Sequence, residues 1–302
     1  MVETRGTLPK SLWPGVKAWW GADYAQHPEV CRSIFETRNS TMAWEEDVQI
    51  TSMSAAPVKD EGGAVTYNNI GQGYTTRYTH VAYANGFIVT REQFADNQYP
   101  KIARARTMAL SKSHRVTKET VAANILNRAT TAGYEGADGV TLLSTAHPEK
   151  VGTFANRAAV AADFSESALE DMLILIDTAT DSVGDPIQIK AKKLIIPPAL
   201  RFNVTRTLRS TLQSGTANND VNAVKELGIL QGDPIVWQFL TDTDAWFIQT
   251  DAPEGLIHYQ REAREITRDG DFDTNNLKVK SYERYSFGYT DPRCIYGSPG
   301  AA

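Results

Sequence analysis

The chain has 302 residues, 41% of them hydrophobic and 22% charged, which is enough apolar material for a sizeable core and excludes intrinsic disorder of the whole. Its 31 basic and 36 acidic side chains leave a formal charge of −5, which argues against a dedicated nucleic-acid binder, whose surface would be basic. Two cysteines, Cys31 and Cys294, exclude a disulfide framework and an all-cysteine metal cluster and fit a reducing compartment. Length predicts one large domain or two of ordinary size. Residues 1–20 carry no apolar core of signal-peptide length, and no stretch approaches the ~18 apolar residues of a bilayer span, so no membrane partner is expected.

Residues 1–46 hold Trp13, Trp19, Trp20 and Trp44 between helix breakers, so this segment reads as an arm whose rings need a covering surface. From Asp47 to Val89 the pattern is an extended β-ribbon with a tight-turn signal at Asn85-Gly86. Tyr74, Thr76, Tyr78 and His80 share one face and Thr75, Arg77, Thr79 and Val81 the other, so neither face is cleanly apolar and the ribbon is either a mobile loop or an extension whose partner is another molecule. Thr90 and Gln93 form a capping box, and Pro100 opens a helix lasting to about Ala129, with Ile102, Ala105, Ala109, Val116, Val121 and Ile125 as its approximate stripe. That run is ~45 Å long, more than twice the ~19 Å radius of gyration of a compact chain of this size, and carries a net +6 between 101 and 128 that reads as a solvated basic face, with an inward-facing patch or a neutraliser of acidic neighbours as the alternatives. After the glycine-rich turn at 133–139 the texture becomes α+β. Ser165 caps a helix bearing Leu169, Met172, Leu173 and Ile176; Pro197-Pro198 stops the strand Lys193–Ile196; Leu200, Val204, Leu208 and Leu212 mark another helix. Strands are expected at 235–240, 245–249, 256–259 and 277–287.

A search for chemistry finds no catalytic, cofactor-binding or metal-binding constellation. His27, His80, His114, His147 and His258 are scattered singly, without metal-ligand spacing. Ser144 stands three residues before His147 without a nucleophile elbow, and His147 reads as a turn residue capping a backbone group. Asp269, Asp271, Asp273 and Asn275 begin like a calcium loop, but Thr274 and Lys280 occupy the positions that need glycine and glutamate, which leaves a looser cation site or a solvated turn. Gly71 and Gly73 lack the third glycine of a dinucleotide fingerprint. An aromatic arm, a long ribbon and an over-long helix without an active site point to assembly with identical copies.

Several strings carry a resemblance over essentially the whole chain: Leu8-Pro9 with Trp19-Trp20-Gly21, the strand Arg77–His80, Thr90–Glu92, Asp138-Gly139 with His147-Pro148, Leu194–Pro198, Leu240–Trp246, and Asp291–Arg293 with Tyr296–Ser298. In this order the chain resembles the major capsid protein of tailed bacteriophages, with the Hong Kong 97 phage fold, and most closely the branch with the Mu-like head subunits. The resemblance implies an α+β fold made of an N-terminal arm (1–46), an extended β-loop (47–89), a spine helix with peripheral domain (90–159, the helix to about 132), an axial domain (160–255) and further peripheral strands (256–302).

It further implies a subunit forming hexamers and pentamers of an icosahedral head, located in the virion, assembled in the host bacterial cytoplasm, and holding double-stranded DNA without sequence preference. Implied partners are further copies, a scaffolding protein, a portal and a decoration protein. The scaffolding domain of roughly a hundred residues in the type member has no counterpart before the arm, which implies either a separate scaffolding protein or an already processed chain, and Met1 favours the former. The type member's lysine–asparagine crosslink has no matching positions here. Trp13, Trp19, Trp20, Tyr67, Tyr74, Arg77 and Tyr78 are the expected inter-subunit contacts. Rival readings are an encapsulin-type nanocompartment, a soluble hydrolase using Ser144 or His147, and a DNA-binding structural protein.

Overall fold

The computed structural model describes residues 29–95, 99–212, 221–230, 232–270 and 276–301. In chain order these form α1 (Cys31–Ile34), β1 (Glu36–Asn39), β2 (Trp44–Ile50), β3 (Gln72–Thr79), β4 (Val81–Val89), α2 (Arg91–Ala95), α3 (Tyr99–Asn127), β5 (His147–Pro148) and β6 (Thr153–Phe154). There follow α4 (Glu166–Asp177), β7 (Ala191–Ile196), α5 (Arg201–Arg209), α6 (Ala223–Leu227), β8 (Ile235–Val236), β9 (Trp246–Thr250), β10 (Leu256–Gly270), β11 (Leu277–Tyr289) and β12 (Ile295–Ser298). Trp13, Trp19 and Trp20 lie outside the described residues, as does the part of the acidic turn between 271 and 275.

Two four-stranded sheets organise the body. The first has the order β1-β10-β11-β4, antiparallel except for the parallel pair of β1 and β10. Helix α3, 29 residues and therefore ~43 Å long, lies across it. Its inward stripe is Ala103, Thr107, Leu110, Ser111, His114, Lys118, Ala122 and Leu126, while Ala105, Ala109 and Val116 of the expected stripe face solvent. Small and polar side chains suit this face because β11 opposes it with the alternating residues Val279, Ser281, Glu283 and Tyr285.

The second sheet, β12-β9-β7-β8, is buried on both faces, which is why its strands read as nearly continuous apolar runs. Ile195, Phe247 and Ile295 point into one core with Ala122, Leu126 and Trp237; Leu194, Ile196, Trp246, Ile248 and Tyr296 point into a second core beneath α4, α5 and α6. Ser165 caps α4 by accepting from the Ala168 N–H, and Leu169, Met172, Leu173 and Ile176 are buried. The strand expected at 235–240 ends at Val236, because the chain turns to bury Trp237 and deliver its indole to Glu119.

The sheets redraw three expected limits. β1, from the stretch read as arm, and β4, from the stretch read as ribbon, both belong to the first sheet, and β12 joins the second sheet although it follows the strands of the first. Asn85-Gly86 is not a turn. Both residues run straight through β4 opposite Ser281 and Lys280, and a Cβ on Gly86 would stand 2.6 Å from the Val279 carbonyl oxygen, so glycine is there for a close backbone approach.

Candidate assembly surfaces

The ribbon is a hairpin of β2 and β3 with the segment 51–71 between them. Its root is built into the body. Tyr78 is buried, shares a 2.7 Å hydrogen bond with the Thr290 hydroxyl, and packs edge-on against Tyr259, whose own hydroxyl donates to Asp47 at 2.8 Å. Burial, with Asp47 beside it, pushes the Tyr259 hydroxyl up to about 12, so it remains a donor at any ordinary pH. Gly288 makes room for the Tyr78 ring, since a Cβ there would stand 2.6 Å from it. His80 continues this inward face, bonded at 3.0 Å to Ser286 and to Ser40. The face read as neither apolar nor polar is thus the buried one, satisfied by hydroxyl partners from distant strands.

Farther out the ribbon loosens from the body in stages. Tyr74 is half-buried and donates to the Pro148 carbonyl at 3.2 Å. The Ser52 and Ala55 N–H groups donate to the Ser182 hydroxyl and the Asp185 carboxylate at 3.1 and 2.9 Å. From 56 to 70 one turn bond, Gly63 N–H to the Asp60 carbonyl, is the hydrogen bonding seen among the described residues. Here Val58 and Tyr67 are 94% and 91% exposed, with Val65 and Ile70 more than half exposed beside them.

Of the seven expected contact residues, the four described ones therefore divide. Tyr67 is free for a neighbour. Arg77 lies over the half-exposed Trp44 ring at 4.3 Å, beside Glu46 at 3.8 Å, and together these make an open surface on the hairpin. Tyr74 is partly engaged. Tyr78 is corrected: its ring is consumed within its own chain, because the inward face of β3 continues into the sheet.

On the long helix the solvated basic face holds only in part, and at Lys118 the alternative of neutralising acidic neighbours applies. Lys118 is buried, 3.8 Å from Glu29, 3.7 Å from Glu283 and above the Tyr285 ring. Next to it Glu119 accepts from the Trp237 indole at 2.7 Å and from the Cys31 N–H at 3.2 Å. Glu29 precedes α1 in the stretch read as arm, so this cluster ties that stretch to the middle of the helix. Burial raises the Glu283 carboxyl, with Lys118 opposing the rise, and raises both cysteine thiols well above the thiolate range. Sequence spacing held one signal for Lys118: it sits in the i, i+4 series His114, Lys118, Ala122, Leu126. Its partners Glu29 and Glu283 carry no such signal.

Catalytic geometry does not form around Ser144. The ring nitrogens of His147 are taken by Asp138 at 2.6 Å and Asn156 at 3.2 Å, and the Ser144 hydroxyl accepts from the Ala146 N–H. His147 therefore joins a side-chain network, stacked on Phe154, rather than capping backbone. Asn156 is the hub that sequence reasoning missed. Its amide donates to the carbonyls of Leu142, Pro292 and Ile295, and its oxygen accepts from the Ser144 N–H at 2.8 Å. Among the described residues no group of three histidine, cysteine or carboxylate side chains could hold a metal ion.

A fold with this helix, ribbon and doubly buried sheet matches known proteins. The family model described as phage capsid protein matches residues 73–298. Among solved structures the chain is similar to Microbacterium phage Oxtober96, with 9% identity and a TM-score of 0.56 over 90% of this chain and 91% of that one. It is similar to the capsid of cyanophage P-SCSP1u, with 13% identity and a TM-score of 0.54 over 87% and 85%. The virus-like particle from Pyrococcus furiosus gives 14% identity and a TM-score of 0.52 over 94% and 97%. No curated protein sequence matches. At these identities the structural likeness establishes the Hong Kong 97-type capsid fold. The family match runs from the ribbon's second strand to the last strand of the second sheet, and on it the chain belongs to the phage capsid protein family, as a major capsid subunit.

Proposed function

We propose that copies of this chain form hexamers and pentamers that close into an icosahedral head around double-stranded DNA, with 160–255 surrounding the centre of each capsomer and the ribbon lying on an adjacent subunit. The observation that carries the reading is the 56–70 segment, apolar at Val58, Val65, Tyr67 and Ile70 and uncovered in the single chain. Burying such side chains contributes ~1.5–3 kcal/mol each, against ~1–2 kcal/mol per residue for ordering the backbone. One ribbon contact is therefore weak, and the shell draws its strength from the several contacts each subunit makes. No catalytic step is assigned to the chain; its work is mechanical.

A net charge of −5 suits a container that releases its DNA. A scaffolding protein, a portal and a decoration protein are the further partners this reading assigns, with assembly in the host cytoplasm. Electron microscopy of the purified chain, with assay of nucleic acid in particles from infected cells, tests the reading. Uniform hollow shells in the first and nuclease-protected DNA in the second are expected. A soluble monomer at high concentration contradicts it, and shells filled with a cargo enzyme instead of DNA assign the chain to a nanocompartment.

A further inference from the structure

Two helices over the second core present exposed stripes of opposite sign. On α4, Glu170, Asp171 and Asp177 flank Ile174, which is 60% exposed, and the helix contains no basic residue. On α5, Arg201, Arg206 and Arg209 flank Phe202, which is 73% exposed, and the helix contains no acidic residue. Arg209 pairs with Asp233; Arg201, Arg206 and the α4 carboxylates make no ion pair among the described residues.

Among the described residues no ion pair joins the two stripes within one chain. Both helices are pinned to the same core by Leu169, Met172, Leu173, Ile176 and Val204, and the Asn203 side chain bonds α5 to the Phe164 carbonyl just before α4. A second copy of this chain offers each stripe a surface of opposite charge with an apolar centre of its own. Contact of α4 with α4, or α5 with α5, would oppose like charges. We propose that the acidic face of α4 on one copy meets the basic face of α5 on the next, as the head-to-tail contact that closes each capsomer ring. The proposal rests on the shell reading above and names the pairing that reading leaves open.

A charge swap tests it. One variant carries Glu170→Lys, Asp171→Lys and Asp177→Lys; the other carries Arg201→Glu and Arg206→Glu. Asp171, Asp177, Arg201 and Arg206 are exposed and Glu170 is half-buried, so circular dichroism and thermal midpoints should stay close to wild type. Ring formation is followed by native mass spectrometry and electron microscopy at about 0.15 M salt, where screening acts over ~8 Å. Each variant alone is expected to need at least tenfold more protein than wild type to form rings. An equimolar mixture restores rings, with the two variants alternating.

Six positions can alternate and five cannot, so the mixture is expected to give six-fold rings, sheets or tubes without closed shells. Variants that form rings as readily as wild type overturn the pairing alone, as does a mixture that stops at heterodimers. Wild-type chain that forms no ring contradicts the shell reading itself.

Discussion

Lys118 of the long helix and Glu283 of β11 stand 3.7 Å apart with 2% and 3% of their side chains exposed, and Glu29, just before α1, closes on the same ammonium from another direction. Three segments far apart in sequence thus meet on one buried positive charge. Such a cluster gains little over well-packed apolar side chains, but removal of Lys118 leaves Glu29 only the more exposed Arg32 and Glu283 only the field of Arg264 in a low-dielectric site.

Replacing Lys118→Met is therefore expected to destabilise the dissociated chain by ~3–5 kcal/mol in chemical denaturation. Adding Glu29→Gln and Glu283→Gln should recover part of the loss, because the neutral amides no longer need the missing ammonium, although Arg32 and Arg264 then give up a carboxylate neighbour. A triple variant no more stable than the single one contradicts this account of the cluster.

His258 sets a pH dependence. Its ring stacks on Phe287 and one nitrogen faces Thr37, while burial first, then Lys118 and Arg32, lower its pKa from 6.5 to about 3. The folded state thus binds fewer protons than the unfolded one between these values, and stability falls as pH drops through that window, by on the order of 4 kcal/mol from this residue. His80 and His114, also lowered by burial, act in the same direction. Glu283 and Glu149, raised by burial, act in the opposite one, favouring the fold as pH falls. Denaturation midpoints of His258→Phe between pH 7 and pH 4 should change less steeply than those of the wild type; equal slopes contradict the assignment.

Asn156 offers an isosteric test of its hub. Asn156→Asp exchanges the donating amide for an acceptor facing the carbonyls of Leu142, Pro292 and Ile295. A loss of about 3 kcal/mol or more is expected, since the new carboxylate oxygen would face three carbonyl acceptors, while its other oxygen keeps only the Ser144 N–H and the His147 ring. Thermal unfolding checks it, and a change under about 1 kcal/mol would mean that the amide is not what joins these segments.

Removing 56–69 and joining the ends with a short glycine-serine linker should leave body stability unchanged while abolishing shells. The cut stops before Tyr74 and Tyr78 because those rings belong to the body. Shells of normal size from this variant would remove the ribbon from the assembly.

Much of this architecture was legible in the sequence where a local rule and the tertiary environment agree. Ser165 with Leu169, Met172, Leu173 and Ile176 predicts α4, and Pro197-Pro198 ends β7 because proline cannot continue its ladder. Reading failed where partners are remote. Asn85-Gly86 carries the strongest short-range turn signal, yet Val279 needs that glycine for close approach within a strand. β10 runs to Gly270 rather than stopping near Tyr259, since its outer half is polar on both faces and hides its alternation. Lys118 looks like one more solvated charge until Glu29 and Glu283 are placed beside it. Of the contact residues, Tyr67 and Tyr78 look alike in sequence, and the hydroxyl of Thr290 waiting at the far end of the chain separates them.

The measurement closest to the central claim is hydroxyl-radical footprinting of Tyr67 in the dissociated chain and in assembled particles. The account predicts strong labelling when dissociated and at least tenfold protection in particles, while Tyr78 stays protected in both. Equal labelling of Tyr67 in the two states would contradict it.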